Sequence, residues 1–171
     1  ENRSQTEGGL LLKSGLRLEL PAPLIGQRTQ FLSVVVATLG EELELTCRRL
    51  REKGDLLRSI FLDAAGLAMM ELLEKAAFEV VSGLARERGL FPGRRLAPGC
   101  CGLDMSLQES LFRLVDGAAI GVFLNTSLVM IPLKSQSFLV GLTPDPVPAV
   151  SWPKCYSCSS RDCLFRHTDR I

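Results

Sequence analysis

The residues best suited to chemistry lie in a short turn near the middle of the chain. Residues 95–101 read RLAPGCC, so a permanent cation, Arg95, begins a segment that ends in two thiols. Pro98 fixes its own φ angle and restricts Ala97 to extended backbone, whereas Gly99 permits a positive φ or the close approach of a ligand. The pattern predicts a rigid turn that offers backbone groups to a ligand beside a guanidinium.

A second candidate site is a group of three cysteines near the C-terminus. Cys155, Cys158 and Cys163 are separated by two and four intervening residues. Such spacing brings three sulfurs around one metal without long-range folding, and thiolates are the soft ligands that zinc and iron–sulfur clusters prefer. The cluster therefore predicts a metal site that holds either zinc or an iron–sulfur cluster, with a redox-inert group of structural thiols as the alternative.

Closed tetrahedral coordination of zinc needs a fourth ligand, and the sequence leaves its identity open. His167 follows Cys163 at a spacing compatible with zinc. Alternatively, Cys100 or Cys101 completes the set if the C-terminal segment folds back over the turn. Because neighbouring side chains diverge, both do not reach one mononuclear metal. A nucleophilic role for Cys100 has little support, since the chain has a single histidine and it lies near the C-terminus.

Composition favours a soluble cytoplasmic protein with no nucleic-acid partner. The net charge is +1, with basic and acidic residues interspersed, so no electrostatic footprint for a phosphate backbone appears. No apolar run has the length of a membrane span, and the polar first residues do not resemble a signal peptide. The uneven distribution of six cysteines fits metal chemistry in a reducing compartment better than disulfides.

The elements that position the turn are predicted from periodicity. Residues 31–39 are apolar and β-branched, which predicts a buried strand. Two glutamates then begin a helix that ends at Gly54 and that places Cys47 in the core. Asp55 caps a long central helix to about Gly89, whose apolar residues are dense enough for burial on more than one side.

The region after the long helix predicts a shorter helix and antiparallel strands. Small residues at 64–68 of the long helix let another element approach its backbone closely. Ser106 and Glu109 form a predicted capping box for a helix that ends near Asp116. Short apolar runs predict antiparallel strands at residues 120–124, 128–131 and 137–142.

Together these elements predict an α+β fold, with long central helices packed on a small, mostly antiparallel sheet. Residues 1–142 form the predicted domain, of which 1–9 are expected to be disordered. The prolines that begin the last segment favour a stiff, extended connection, so residues 143–171 are expected to form an irregular, cysteine-rich, metal-binding tail.

At the level of family, the chain resembles the activation domain of cobalamin-dependent methionine synthase, which binds S-adenosylmethionine (SAM) during reductive reactivation. That family has an Arg-Pro-Ala-Pro-Gly-Tyr-Pro turn, an amphipathic helix and a later Met-x-Pro-x-x-Ser-x-Ser segment. Here residues 95–100 read RLAPGC, and residues 130–137 read MIPLKSQS. The resemblance covers residues 56–142.

The resemblance implies a SAM site on this chain. Arg95 would hold the methionine carboxylate, and backbone groups of Ala97 and Gly99 would approach the ligand. Glu71 falls near a family acidic residue that could meet the amino or sulfonium group, although a solvated helix face is the alternative for its side chain. Arg95 has its own alternative, a solvated surface arginine.

Some of the remaining positions match the family motif, and others depart from it. Ser135 and Ser137 carry the downstream serine motif. Cys100 stands where the family has a tyrosine that faces the corrin, and Leu139-Val140 replaces an aromatic pair. An aromatic residue that stacks on adenine or faces the corrin is therefore expected to be missing.

A chain without folate, homocysteine or cobalamin modules is expected to act in trans. The resemblance implies an accessory factor that binds SAM and reactivates a separate corrinoid protein or methionine synthase core by reductive methylation of cob(II)alamin. An iron–sulfur cluster in the tail would deliver the electron, whereas zinc would only fasten the tail. The alternative is a non-enzymatic, metal-binding interaction module that docks on a corrinoid protein without binding SAM.

Overall fold

The computed structural model describes residues 2–6, 9–13, 15–20, 28–100 and 103–146. It confirms the predicted α+β class, because three helices accompany small antiparallel sheets in these residues. In chain order the elements are β1 (Asn2–Thr6), β2 (Gly9–Leu12), β3 (Arg17–Leu18), β4 (Phe31–Thr38), α1 (Glu42–Glu52), α2 (Leu56–Glu87), β5 (Phe91–Leu96), α3 (Leu107–Phe112), a 3₁₀ turn (Gly117–Ile120), β6 (Phe123–Leu124), β7 (Met130–Ile131) and β8 (Ser135–Thr143).

The sheet that carries the candidate site has the order β4-β8-β5, and both pairings are antiparallel. β8 is therefore the central strand, and it pairs with all of β4, the strand predicted at residues 31–39. Successive side chains of a strand point to opposite faces. Phe138 and Val140 accordingly face α2, whereas Leu139 faces the other side of the sheet.

Each face of this sheet has its own apolar core. The cluster on the α2 face contains Val81, Ala85, Leu90, Phe138, Val140 and Leu142. The cluster on the opposite face contains Leu10, Leu18, Leu20, Leu96, Leu103, Leu107, Leu111 and Leu139. The sheet thus separates α2 from α3 and the N-terminal strands, so that any side chain of β5 or β8 belongs to one side only.

The packing of α1 on α2 confirms two sequence predictions. Gly66 is buried, and a Cβ atom there would lie 3.0 Å from Cδ1 of Leu43, so the small residues of α2 do let α1 approach closely. Cys47 is a core residue, as predicted. The Ser59 hydroxyl donates to the Cys47 carbonyl oxygen at 3.0 Å, which satisfies a buried polar group between the two helices.

The helix starts agree with the sequence in one case and differ in another. Asp55 caps α2, since its carboxylate accepts from the backbone N–H of Arg58 at 3.3 Å. The predicted capping box of Ser106 is wrong. Asp104 instead accepts from the Ser106 backbone N–H at 2.8 Å, and hydrogen bonds from the Ser106 hydroxyl and N–H lower the pKa of the Asp104 carboxyl.

Other boundaries differ because local turns end or displace the predicted elements. α3 ends at Phe112, before the predicted end near Asp116, whose side chain begins the 3₁₀ turn by accepting from Ala119 N–H. The strand predicted at residues 120–124 is reduced to Phe123–Leu124, because this turn extends to Ile120. Disorder predicted for residues 1–9 is wrong for Asn2–Thr6, which pairs antiparallel with β2.

The burial predicted for α2 on more than one side is also wrong among the described residues. The sheet and α1 cover part of the surface of this 32-residue helix, and large apolar residues elsewhere on its surface are exposed. These are Leu56, Leu57, Ile60, Phe61, Leu67, Met69, Leu72, Val80 and Leu84. Despite its length, α2 carries several charged residues, and none of the helices described has the length and apolar character needed to cross a membrane.

Candidate ligand site

Arg95 lies on β5 opposite Val140 of β8, and its side chain is held between the sheet and α2. Nη1 of Arg95 is 2.9 Å from Oε2 of Glu74, and the guanidinium carbon lies 5.4 Å from the centre of the Phe138 ring. Only 10 % of the Arg95 side chain and 24 % of the Glu74 side chain are exposed. The alternative of a solvated surface arginine is therefore wrong.

The Glu74 carboxylate lies between the Arg95 guanidinium and the Gln136 amide. The Gln136 amide, oriented with its nitrogen toward the carboxylate, donates to Glu74 Oε2 at 3.2 Å. Burial raises the pKa of Glu74 above its usual value, the positive charge of Arg95 works in the opposite direction, and the negative charge of Glu71 adds to the rise. The site thus combines a cation with a carboxylate that is more readily protonated than a solvated one.

The acidic residue that the structure brings to Arg95 is Glu74, whereas the resemblance pointed to Glu71. Glu71 lies on the exposed side of α2 and influences the site through its charge. Glu74 precedes Phe78 and Val81 by four and seven residues, and both of these pack against the sheet. Helical spacing alone does not separate the two, because Glu71 also precedes Phe78 by seven residues, so the sequence carried no signal that selects Glu74.

The turn that follows β5 is rigid, as the sequence predicts. The backbone N–H of Cys100 donates to the Ala97 carbonyl oxygen at 3.1 Å, and Gly99 has a φ of 75°. With Pro98 at the second position, these are the features of a type II β-turn. The Gly99 N–H donates to the Leu103 carbonyl oxygen at 3.0 Å, so two backbone groups expected to meet a ligand are hydrogen-bonded within the chain.

Cys100 is exposed at the end of this turn, on the same connection as Arg95. Within the described residues, no three His, Cys, Asp or Glu side chains are grouped so that they could hold a metal ion. The other predicted metal ligands, Cys155, Cys158 and Cys163, and the alternatives Cys101 and His167, lie outside the residues that the structure describes. A metal site at the cysteine cluster stays a prediction.

Ser135 and Ser137, the serines of the downstream motif, are buried and hydrogen-bonded within the protein. The Ser135 hydroxyl donates to Oγ1 of Thr38 at 2.8 Å. The Ser137 hydroxyl donates to Oε1 of Gln108 at 2.7 Å, and the Gln108 amide nitrogen donates to the Leu128 carbonyl oxygen at 3.3 Å. These serines connect β8 to β4 and α3.

The sheet therefore divides the residues that the resemblance assigned to one SAM site. Gln136 and Phe138 of β8 lie on the α2 face with Arg95, whereas Ser137, between them in sequence, faces α3. Side chains on opposite faces of one strand do not contact the same small ligand. The structure brings together Arg95, Glu74 and the neighbouring turn, and it leaves the two serines on the far side.

This arrangement is suited chemically to a zwitterion. A guanidinium accepts a carboxylate in a planar, bidentate geometry, and a carboxylate stabilises an ammonium or sulfonium cation. Arg95 and Glu74 present both charges within 2.9 Å of each other. The site could therefore receive the α-amino and α-carboxyl groups of an amino acid side by side.

Comparison of the sequence with models of known protein families finds no matching family, and comparison with curated proteins finds no matching relative. The likeness to the activation domain therefore rests on the residues of two segments, 95–100 and 130–137. The ion pair of Arg95 and Glu74 is a feature of the structure for which the sequence offered only the first partner.

Proposed function

We propose that this protein binds SAM and supports the reductive methylation of a corrinoid cofactor held by a separate protein. The observation that carries the proposal is the partly buried ion pair of Arg95 and Glu74 beside the turn at residues 97–100. The turn matches the family motif in its alanine, proline and glycine. A cation and an anion at this position match the charges of the methionine portion of SAM.

In this proposal Arg95 and Glu74 separate, and each side chain exchanges the other for an oppositely charged group of SAM. The Arg95 guanidinium holds the SAM carboxylate, and the Glu74 carboxylate meets the ammonium or sulfonium group. Each protein charge keeps an opposite charge beside it, which offsets the cost of separating the pair. Charged hydrogen bonds are strong where solvent is largely excluded, and both side chains are partly buried.

The proposed role is that of an accessory to a methyltransferase, acting in the cytoplasm. SAM supplies the methyl group and leaves as S-adenosylhomocysteine. SAM does not supply the single electron that cob(II)alamin requires, so that electron comes from a reductant. An iron–sulfur cluster at Cys155, Cys158 and Cys163, with Cys100, Cys101 or His167 as a further ligand, would deliver that electron from within this chain. Zinc at the same residues would instead fasten the segment.

A second candidate function is a non-enzymatic, metal-binding module that docks on a corrinoid protein without binding SAM. Three observations favour it. Arg95 and Glu74 already satisfy each other, the hydroxyls of Ser135 and Ser137 are used inside the protein, and Cys100 replaces the tyrosine of the family motif. The fold would then retain a docking role after its ligand site had changed.

Purification of the tagged full chain under anaerobic conditions distinguishes these candidates. SAM binding, measured by equilibrium dialysis, together with recovery of a corrinoid protein, supports the first function. Recovery of the corrinoid protein by a chain that does not bind SAM supports the second. Failure to bind either one contradicts both candidates. The colour and metal content of the same preparation then decide between an iron–sulfur cluster and zinc.

A further inference from the structure

An apolar stripe winds along the exposed surface of α2. Leu57, Phe61, Leu72 and Val80 are its largest exposed members, each between 64 % and 68 % exposed. The stripe comprises residues spaced by three or four positions, all of them exposed: Leu57, Phe61, Ala65, Met69, Leu72, Ala76, Val80 and Leu84. Residues at this spacing are neighbours on a helix surface.

The extent of the stripe marks it as a contact surface. A helix of 32 residues is about 48 Å long, and the stripe follows most of that length. Monomeric proteins rarely expose a contiguous apolar patch larger than a few hundred Å², and larger patches are covered by a partner or by another part of the chain. Ala65 and Ala76 leave shallow positions between the large residues, where a covering segment could approach the helix.

The described chain stops close to one end of this stripe. Leu142 of β8 packs in the same cluster as Ala85 and Leu90, at the C-terminal end of α2. An ion pair of 2.7 Å between Arg28 and Asp145 fixes the chain just before residue 147. A segment of roughly 25 residues, such as 147–171, spans up to about 80 Å when extended, which exceeds the length of α2.

The composition of residues 147–171 complements the stripe. The segment carries large apolar residues, which are Val147, Val150, Trp152, Tyr156, Leu164, Phe165 and Ile171. Its basic residues, Lys154, Arg161, Arg166 and Arg170, outnumber its two acidic residues. Around the stripe, α2 exposes both acidic and basic residues, so charge does not select the occupant. The apolar composition and the length of the segment favour it.

We propose that residues 147–171 lie along the apolar stripe of α2, with Trp152 packed against the helix. This proposal concerns a different side of α2 from the ion pair of Glu74 and Arg95, and it does not depend on SAM binding. It also provides a cover for the apolar residues of the stripe, which the sheet and α1 leave exposed.

Trp152 is the single tryptophan of the chain, so its fluorescence reports on this segment alone. In the full chain we expect a blue-shifted emission maximum and protection from acrylamide. Phe61→Lys and Leu72→Lys should each move the emission toward that of a solvated indole and increase quenching. Both side chains are exposed, so the variants should keep the wild-type circular dichroism spectrum. Phe123→Lys, an equally drastic change at an exposed position on β6, should leave the emission unchanged.

Two results would overturn the proposal. One is a fully solvated emission from Trp152 in the wild-type chain. The other is a blue-shifted emission that Phe61→Lys and Leu72→Lys leave unchanged. Sedimentation of the same samples identifies a competing occupant: a wild-type dimer that Leu72→Lys converts to a monomer, with unchanged Trp152 emission, assigns the stripe to a second copy of the chain.

Discussion

The ion pair between Arg95 and Glu74 fastens β5 to α2 across 2.9 Å, at the place where the edge strand leaves the sheet. Phe138 lies beneath the guanidinium and Gln136 beside the carboxylate, so both charges are held by neighbours on the central strand. The pair also joins the end of β5, just before the turn at residues 97–100, to the long helix by charge. Its behaviour therefore connects the stability of the fold to its proposed function.

Replacement of Glu74 by Gln should change how stability depends on pH. The pKa of Glu74 is raised in the folded protein, chiefly by burial, above its ordinary value of 4.5. Between the pKa of Glu74 in the unfolded state and its pKa in the folded state, the folded protein binds more protons than the unfolded chain. The protonated Glu74 therefore contributes to the free energy of unfolding below pH 4.5, and this contribution is lost as pH rises through the folded-state pKa.

Urea unfolding of the wild type and Glu74→Gln at several pH values measures this effect. The free energy of unfolding of the wild type, minus that of Glu74→Gln, should fall as pH rises above 4.5 and then become constant. The charge of Arg95 does not change in this pH range. The loss of its ionic partner in the variant therefore adds a pH-independent amount to the difference in the free energy of unfolding. A difference that grows in favour of the wild type over the same range would contradict the raised pKa.

Two glycines of α2 should respond in opposite directions to larger side chains. At Gly66 a Cβ atom would lie 3.0 Å from Leu43 Cδ1 and 3.1 Å from Lys134 Cε, so Gly66→Val should reduce the free energy of unfolding by about 1–3 kcal/mol. At Gly83 nothing lies within 4 Å, and Gly83→Ala should add about 0.5–1 kcal/mol through helix propensity. Thermal and urea unfolding check both values, and a stabilising Gly66→Val would refute the close packing of α1 on α2.

The buried hydroxyl of Ser137 should matter for stability and not for ligand binding. Ser137→Ala leaves Gln108 Oε1 without its 2.7 Å hydrogen bond in a buried position, which costs about 1–3 kcal/mol. Because Ser137 and Arg95 lie on opposite faces of the sheet, the affinity for SAM should stay at the wild-type value. A large loss of affinity with little loss of stability would place Ser137 in the ligand site, against the geometry described above.

The cysteine cluster should bind metal through its own three thiols. Cys155→Ser, Cys158→Ser and Cys163→Ser should each lose most of the bound zinc or iron, because soft thiolate ligands dominate such sites. Cys47→Ala is the matched control, since Cys47 is buried between α1 and α2. Elemental analysis of anaerobically purified full-length protein measures the metal. Wild-type content in all three serine variants would exclude the site, and the content of Cys100→Ser decides whether the turn supplies a ligand.

Local signals in the sequence predicted much of the fold. The strand at residues 31–39, the Asp55 cap and the core position of Cys47 depend on nearby residues, and the structure confirms them. The burial predicted for that strand is wrong, because β4 lies at the edge of its sheet and all its residues are half-buried. In the predicted capping box the Glu109 carboxylate accepts from the Ser106 N–H, but Asp104 takes that N–H instead and Glu109 pairs with Arg113. Such competition is decided by local geometry that residue types alone do not specify.

Properties that depend on register were beyond the sequence. Ser137 and Phe138 are adjacent, yet only the pairing of β8 with its neighbours decides which of them faces Arg95. The choice of Glu74 over Glu71 likewise depends on which side of α2 meets the sheet. The exposure of Leu72 could not be predicted, because a leucine in a helix indicates a buried position but does not indicate which segment or partner covers it.

Calorimetric titration of SAM into the full chain measures whether SAM binds through Arg95. We expect saturable binding to the wild type, a loss of affinity of roughly 10- to 150-fold in Arg95→Ala, the equivalent of about 1.5–3 kcal/mol for a charged hydrogen bond, and a partial loss in Arg95→Lys. Arg113→Ala, which removes an exposed arginine paired with Glu109, should bind like the wild type. No binding by the wild type, or equal affinities of Arg95→Ala and the wild type, would contradict the account.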